Sequence, residues 1–244
     1  MAVAQSGDLV YVLNFAGNSN VVGFHLNDGC LKRIPGSIRY LSSANSGASS
    51  LAFSPDGRWL VATEKLNNNI DVFPVQSDGT LGPVVITKDS LAALFAIVFS
   101  PDGALLSVEA GAGTLSSYIV GPTGTLAPLS TGTPTLGSAS CWQAVTPDGR
   151  FVYTSNAGSA NISGFSISGA GSLTPLAGTI VGSNAASSAN LDITVTGDGK
   201  FLYTLNSGTG AVGMFAINSN GTLKPLGGLG GLPPNTGFNG IAAL

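Results

Sequence analysis

One period runs through the whole chain. Turn glycines Gly7, Gly57, Gly103, Gly149 and Gly199 stand 50, 46, 46 and 50 residues apart. The aromatics Phe24, Phe73, Tyr118, Phe165 and Phe215 keep step at 49, 45, 47 and 50, and Leu31, Leu81, Leu126, Leu173 and Leu223 repeat the rhythm. A unit of this length cannot bury both of its faces alone, so it must stack on copies of itself. The local pattern decides what is stacked.

In the second copy, Ser50 to Phe53 reads as a first strand, A, and Ser54-Pro55-Asp56-Gly57 as a turn in which Pro presets φ and Gly accepts a positive one. Trp59, Val61 and Thr63 then alternate with Leu60 and Ala62 along strand B. Neither set is strongly polar, so both faces of this strand should be buried between stacked sheets. Asn67-Asn68-Asn69 form the next loop, Ile70 to Val75 strand C, Asp78-Gly79 a turn, and Thr80 to Ile86 a weaker strand D. Four short antiparallel strands per copy describe a propeller blade, whereas a horseshoe or β-helix needs shorter or helix-bearing repeats. The expectation is an all-β chain, a β-propeller of about five four-stranded blades in one domain, with repeats at 1–45, 46–92, 93–138, 139–187 and 188–235. Residues 237–244 (GFNGIAAL) resemble a sixth A strand and could close a ring through the first blade; otherwise the five blades are a fragment of a seven-bladed ring.

Composition supports this reading and narrows function. Only 9% of residues are charged, and polarity comes from Ser, Thr, Asn and 35 glycines. Nine Lys and Arg scattered over a chain of net charge −3 do not make the clustered cations that nucleic acid requires. No apolar run is long enough for a membrane helix. The start, MAVAQSGDLVYVLN, enters strand pattern at once without a cationic leader, which reads as cytoplasmic unless a secretory segment lies upstream. Cys30 and Cys141 occupy unequal places in their repeats, so spacing gives a disulfide little support. No His/Cys/Asp/Glu group has metal-ligand spacing, and neither metal nor cofactor is expected.

Residues 143–167 (QAVTPDGRFVYTSNAGSANISGFSI), 54–73 (SPDGRWLVATEKLNNNIDVF) and 194–215 (TVTGDGKFLYTLNSGTGAVGMF) share an xPDGxxxYxxN-like pattern. With it the chain resembles the lactonase-type seven-bladed propeller family, which includes a class of bacterial 6-phosphogluconolactonases. The pattern is a blade signature and specifies no reaction. The resemblance implies a lactone substrate and, by analogy with the family's better understood enzymes, cations and histidine at one mouth of the ring. Here the one histidine, His25, follows Phe24 inside a strand and reads as a strand-face residue.

Breaks in the repeat locate a candidate site at the B–C loops. Aligned on the turn glycines, Asn14, Glu64, Ala110, Asn156 and Asn206 end strand B, while Asn20, Asn69, Thr114, Asn161 and Ala211 begin strand C. The asparagines suit loop capping. Glu64 places a charge in that series, with Lys65 after it and Glu109 at nearly the same level of the next blade. Two carboxylates at one mouth could orient a water or raise each other's pKa; they could equally be ordinary ion pairs. Arg39 and Lys88 lie on crossovers and are the best-placed cations for an anionic substrate. Trp142 could cover an apolar or sugar face, although packing between blades explains it too. Cys141 lacks a histidine base, no GxSxG is present, and the serine-rich crossover at 42–50 reads as a solvated loop.

The hydrolase reading therefore takes Glu64, Glu109 and Arg39 as catalytic, with Asn14, Lys65, Lys88, Trp142, Asn156 and Asn206 as ligand contacts for a small lactone or carbohydrate-like molecule. The alternative is a non-catalytic propeller that binds a ligand or a protein partner on one mouth.

Overall fold

A computed structural model describes residues 1–236 and 238–243. Its regular structure among these residues is entirely β, and no helix is long and apolar enough to cross a membrane. The first sheet contains β1 (Ala2–Val3), β2 (Leu9–Asn14), β3 (Asn20–Asn27) and β4 (Cys30–Arg33) in order, with β5 (Arg39–Tyr40) pairing β3 beyond β4. The second is β6 (Ala48–Phe53), β7 (Trp59–Glu64), β8 (Asn69–Pro74) and β9 (Val85–Lys88). The third is β10 (Leu94–Phe99), β11 (Ala104–Glu109), β12 (Thr114–Val120) and β13 (Leu126–Pro134). The fourth is β14 (Ser140–Val145), β15 (Phe151–Asn156), β16 (Asn161–Ile167) and β17 (Leu173–Ser183). The fifth is β18 (Asn190–Val195), β19 (Phe201–Asn206), β20 (Ala211–Ile217) and β21 (Leu223–Gly230). Each is an A-B-C-D blade, as the repeat requires.

The chain forms two compact units, residues 1–107 with 118–128, and residues 108–117 with 129–244. Within the first unit, strand B of the second blade shows why these sequences lack a polar face. All six residues of β7 are buried. Leu60 and Ala62 join a core with Leu9, Tyr11, Val21, Phe73 and Leu81, while Trp59 and Val61 join another with Ile70, Val72, Leu94, Phe99 and Tyr118. In the second unit, Phe151, Tyr153 and Ile162 of the fourth blade pack with Leu202, Phe215 and Leu223 of the fifth. The periodic Phe73, Leu81, Tyr118, Phe215 and Leu223 thus lie in the layers between blades.

A buried tyrosine adds a directional bond to that layer. Tyr11 Oη donates to the carbonyl of Gly79 at 2.8 Å, and Tyr153 Oη to that of Gly221 at 2.8 Å. In both cases strand B of one blade reaches the C–D turn of the next. Burial raises both phenol pKa values, that of Tyr11 to about 12. The turn glycines have φ of 78° and 83°, and a Cβ on Gly221 would stand 2.6 Å from the Phe151 ring. A Cβ on Gly79 would stand 3.0 Å from Ile34 and 3.1 Å from His25 and Leu9, which accounts for His25 as a packing residue between blades.

The A–B turns are closed by their own side chains. Asp56 Oδ1 accepts from Ser54 Oγ at 2.6 Å and from the Arg58 amide at 3.1 Å, and Asp148 and Asp198 repeat this with Thr146 and Thr196. The third blade differs by one residue. There the Ser100 amide bonds to the carbonyl of Ala104, four residues on, where the Ser54 amide reaches Trp59, five on. Glu109, rather than Ala110, consequently ends strand B, at the position of Glu64. Strand D of the second blade is also shorter than expected: Val75–Leu81 is an isolated bridge, and the strand proper begins at Val85.

The segment expected to close a ring, 237–244, forms no strand at its described residues 238–243; Gly237 and Leu244 lie outside them. The Ile241 amide donates to Asp192 of the fifth blade at 3.0 Å, and the first sheet is built wholly from residues 2–40.

Candidate functional site

Strand B ends and strand C begins at the same point of every blade, and side-chain pairs tie the two together. Asn14 Nδ2 donates to Asn20 at 3.0 Å, Asn69 Nδ2 to Glu64 at 2.8 Å, Thr114 Oγ1 to Glu109 at 2.7 Å, and Asn156 Nδ2 to Asn161 at 2.7 Å. Asn156 is fully buried and also accepts from Ser140 Oγ at 2.6 Å, which makes it part of the scaffold. Asn206, opposite Ala211, donates instead to Asn184 at 3.0 Å.

Glu64 departs most from this pattern. It is fully buried and only accepts: from the Ser42 amide at 2.8 Å, Ser42 Oγ at 2.5 Å, Asn67 Nδ2 at 3.1 Å and Asn69 Nδ2 at 2.8 Å. Ser42 is exposed, and it is held there because the crossover on either side is pinned to the first blade. Leu41 is buried and its amide bonds to the Ser19 carbonyl, while the Asn45 amide bonds to that of Gly17. Asn67 Nδ2 and Asn69 Nδ2 reach Ser42 Oγ as well, at 3.1 and 3.0 Å.

A second carboxyl lies behind the first. In the β7–β8 ladder Glu64 pairs Asn69 and Ala62 pairs Asp71, so Glu64 and Asp71 project from one face at neighbouring positions. The equivalent residues of the fourth blade, Asn156 and Ser163, are hydrogen-bonded at 2.7 Å. Asp71 is fully buried, and among the described residues no donor reaches either of its carboxyl oxygens. Its neighbour is the Glu64 carboxylate, and two carboxyl groups can bond to each other only when one keeps its proton. Burial, then the Glu64 charge and hydrogen bond, raise the Asp71 pKa to about 8. Because four donors already serve Glu64, the proton of the pair belongs on Asp71. Sequence reading missed Asp71, yet a signal existed: the third residue of strand C is Val22, Asp71, Ser116, Ser163 and Gly213 in the five blades, and only one is acidic.

The other residues singled out from sequence fall in several places. Arg39 is occupied by backbone carbonyls, through Nε to Leu81 at 2.9 Å and through one terminal nitrogen to Gly36 at 2.8 Å and Ile38 at 2.9 Å. Lys65 lies over the Phe95 ring, 5.3 Å from its centroid, and Lys88 donates to the Asn67 carbonyl, so both cations stand at the B–C end of the second blade. Glu109 and Trp142 belong to the second unit, where Trp142 packs against the core between the fourth and fifth blades. Among the described residues no cluster of three or more His, Cys, Asp or Glu could hold a metal.

A cleft of about 240 Å³ is lined by Asn18, Ser19, Tyr40, Leu41, Ser43 and Ala44, which include both sequence neighbours of Ser42 but not Ser42 itself. Its size suits one small ring. Clefts of about 270 and 390 Å³ lie at the A–B turn end of the same unit; the first is lined by Asp56, which is held within its own turn, and by the exposed Asp102.

Comparison with known proteins agrees with the blade architecture. The family described as Lactonase, 7-bladed beta-propeller matches residues 87–228, more than half of the chain. A protein from Lactobacillus plantarum superposes with a TM-score of 0.80 at 18% identity, covering 94% of this chain and 70% of the other. The periplasmic gluconolactonase PpgL of Pseudomonas aeruginosa gives 0.77 at 23%, covering 94% and 71%. A proposed 6-phosphogluconolactonase from Bacteroides uniformis gives 0.74 at 22%, covering 96% and 72%. No curated protein matches in sequence. At such identities the likeness to these structures is one of fold.

Proposed function

The chain belongs to the seven-bladed β-propeller lactonase family, and from that premise we propose that it hydrolyses a small lactone of a sugar or organic acid at the B–C end of its second blade. The observation that carries the proposal is an exposed hydroxyl, Ser42, hydrogen-bonded to a buried carboxylate, Glu64, which is backed by a carboxyl, Asp71, that keeps its proton near neutral pH.

Lactone opening needs an oriented water, a proton acceptor and a donor near the developing oxyanion. Glu64 is sealed from solvent, so it acts through Ser42. A water in the adjacent cleft attacks the carbonyl carbon and passes a proton to Ser42 Oγ, while the Ser42 proton moves to Glu64. The acyl C–O bond of the ring then breaks, and the leaving alkoxide recovers a proton by the same route, giving the hydroxy acid. The amides of Asn67 and Asn69 fix the Ser42 hydroxyl between them. In this reading Lys65 and Lys88, at the same end of the second blade, are the cations for an anionic substituent.

A panel of neutral and phosphorylated sugar lactones, followed at controlled pH with wild type, Glu64→Gln and Ser42→Ala, tests this reading. Turnover that falls at least about a hundredfold in both variants is expected for loss of a general-base route. Rates equal to the uncatalysed background for every lactone would refute it. A propeller that only binds is the second reading, favoured by the complete burial of Glu64 and Asp71 and the engagement of Arg39. Lactone binding without turnover in wild type would select it.

A further inference from the structure

The fourth and fifth blades end strand B on the same residue type in different company. Asn156 of the fourth has its carboxamide fully engaged: Nδ2 donates to Asn161 Oδ1 and Ser163 Oγ, both at 2.7 Å, and Oδ1 accepts from Ser140 Oγ at 2.6 Å. Strand register puts Ala211, Gly213 and Asn190 at those three places around Asn206 of the fifth. Two of the partners have lost their polar groups, and the third has turned away, since Asn190 Nδ2 donates to the Asn161 carbonyl at 2.9 Å. Asn206 is nevertheless only 5% exposed.

Asn184, on the crossover from the fourth blade to the fifth, makes good part of the loss. Its backbone amide is fixed on the Ala160 carbonyl at 2.8 Å, and its Oδ1 accepts from Thr204 Oγ1 at 2.9 Å and from Asn206 Nδ2 at 3.0 Å. The side chain occupies room that a serine would need, because a Cβ on Gly213 would stand 2.3 Å from Asn184 Oδ1 and 2.5 Å from Thr204 Oγ1. One donor and one acceptor remain: no described residue pairs with Asn184 Nδ2 or Asn206 Oδ1, and both atoms are buried. Turning both amides over exchanges their roles and leaves the same pair. Native folds keep few such groups, so each asks for an explanation.

Both asparagines line a cleft of about 300 Å³, together with Gly213, Phe215, Pro225 and Gly228. All of its lining belongs to the second unit, whereas Ser42 belongs to the first. Phe215 and Pro225 are paired across strands C and D and give the cleft an apolar wall. We propose that this cleft binds a neutral polyhydroxy ring the size of a monosaccharide, one of whose hydroxyls accepts from Asn184 Nδ2 and donates to Asn206 Oδ1. A hydroxyl does both through a single oxygen, whereas a carboxylate only accepts and an ammonium only donates. No lining residue is charged, so an ionic group would lose its water there without a partner. For the same reason the cleft holds its ligand without an acid or base to transform it.

Titration of nitrogen-labelled protein with D-glucose or D-gluconate, followed through the asparagine side-chain amide signals in nuclear magnetic resonance, tests the proposal. In wild type D-glucose should shift the Asn184 and Asn206 signals saturably, and D-gluconate should bind at least about tenfold more weakly because its carboxylate finds no partner. Asn184→Ala removes the donor from a half-buried crossover position and should weaken D-glucose at least about fivefold. Gly213→Ser copies Ser163 of the fourth blade, displaces the Asn184 amide and gives Asn206 a partner, so it should abolish binding. Ser42→Ala should bind D-glucose as wild type does, which keeps this result separate from lactone hydrolysis. The proposal is overturned by the absence of a saturable shift up to about 0.1 M D-glucose, by binding that Asn184→Ala leaves unchanged, or by tighter binding of D-gluconate.

Discussion

Asp71→Asn should stabilise this protein near neutral pH, although it removes a fully buried polar group's native chemistry. In the unfolded chain the Asp71 carboxyl titrates near 3.8, whereas in the fold it keeps its proton up to about 8. Across that window the folded state holds a proton that the unfolded state has released, so its contribution to stability is complete at low pH and is lost progressively as pH rises toward the folded value. At about 1.4 kcal/mol per unit, the roughly three units between the unfolded pKa and pH 7 amount to about 4 kcal/mol. Asn has the same shape, carries no charge at any pH, and can donate to Glu64 as the protonated acid does. The variant should therefore match wild type at low pH and gain on it steadily, reaching a melting temperature about 10 °C higher near pH 7 for a chain of this size. Calorimetry of both proteins across the pH range is the assay. Parallel stability curves, or an Asn variant less stable than wild type at neutral pH, would refute the placement of an extra proton at this pair.

Other consequences follow from the same contacts. Lactone hydrolysis, once measured, should decline above about pH 8 as Asp71 ionises behind Glu64, and this limb should be absent from the pH profile of Asp71→Asn. Tyr11→Phe and Tyr153→Phe should each cost about 1–3 kcal/mol in chemical denaturation, by leaving a buried turn carbonyl without its donor. Tyr203→Phe, with no acceptor among the described residues, should stay within about 0.5 kcal/mol in dilute solution. Gly221→Ala should lose about 2 kcal/mol or more, because φ is 83° and the new methyl would force the Phe151 ring aside.

The fold was legible because its signals are local and repeated. Apolar residues on both faces of Trp59 to Glu64, the Pro-Asp-Gly turns and the periodic leucines each state a blade, and stacking of blades is what buries both faces of such a strand. The site was legible only where it breaks the repeat. Glu64 stood out as a charge in an asparagine series, but the direction of a side chain is not written in sequence. Arg39 looked like a free cation on a crossover, yet three of its five donors are taken by carbonyls. Ser42 looked like one more solvated serine, yet it touches Glu64. Asp71 became visible only through strand register, and a turn one residue shorter displaced Glu109 from its true equivalence with Glu64.

The chemistry proposed at Ser42 rests on a single proton held between Glu64 and Asp71. Infrared difference spectroscopy on wild type and Asp71→Asn, titrated from mildly acidic to alkaline pH, observes that proton directly. A protonated-carboxyl band that persists through neutral pH, vanishes near pH 8 and is missing from Asp71→Asn is the predicted result. Spectra in which every carboxyl of the folded wild type is ionised by pH 6 would contradict it.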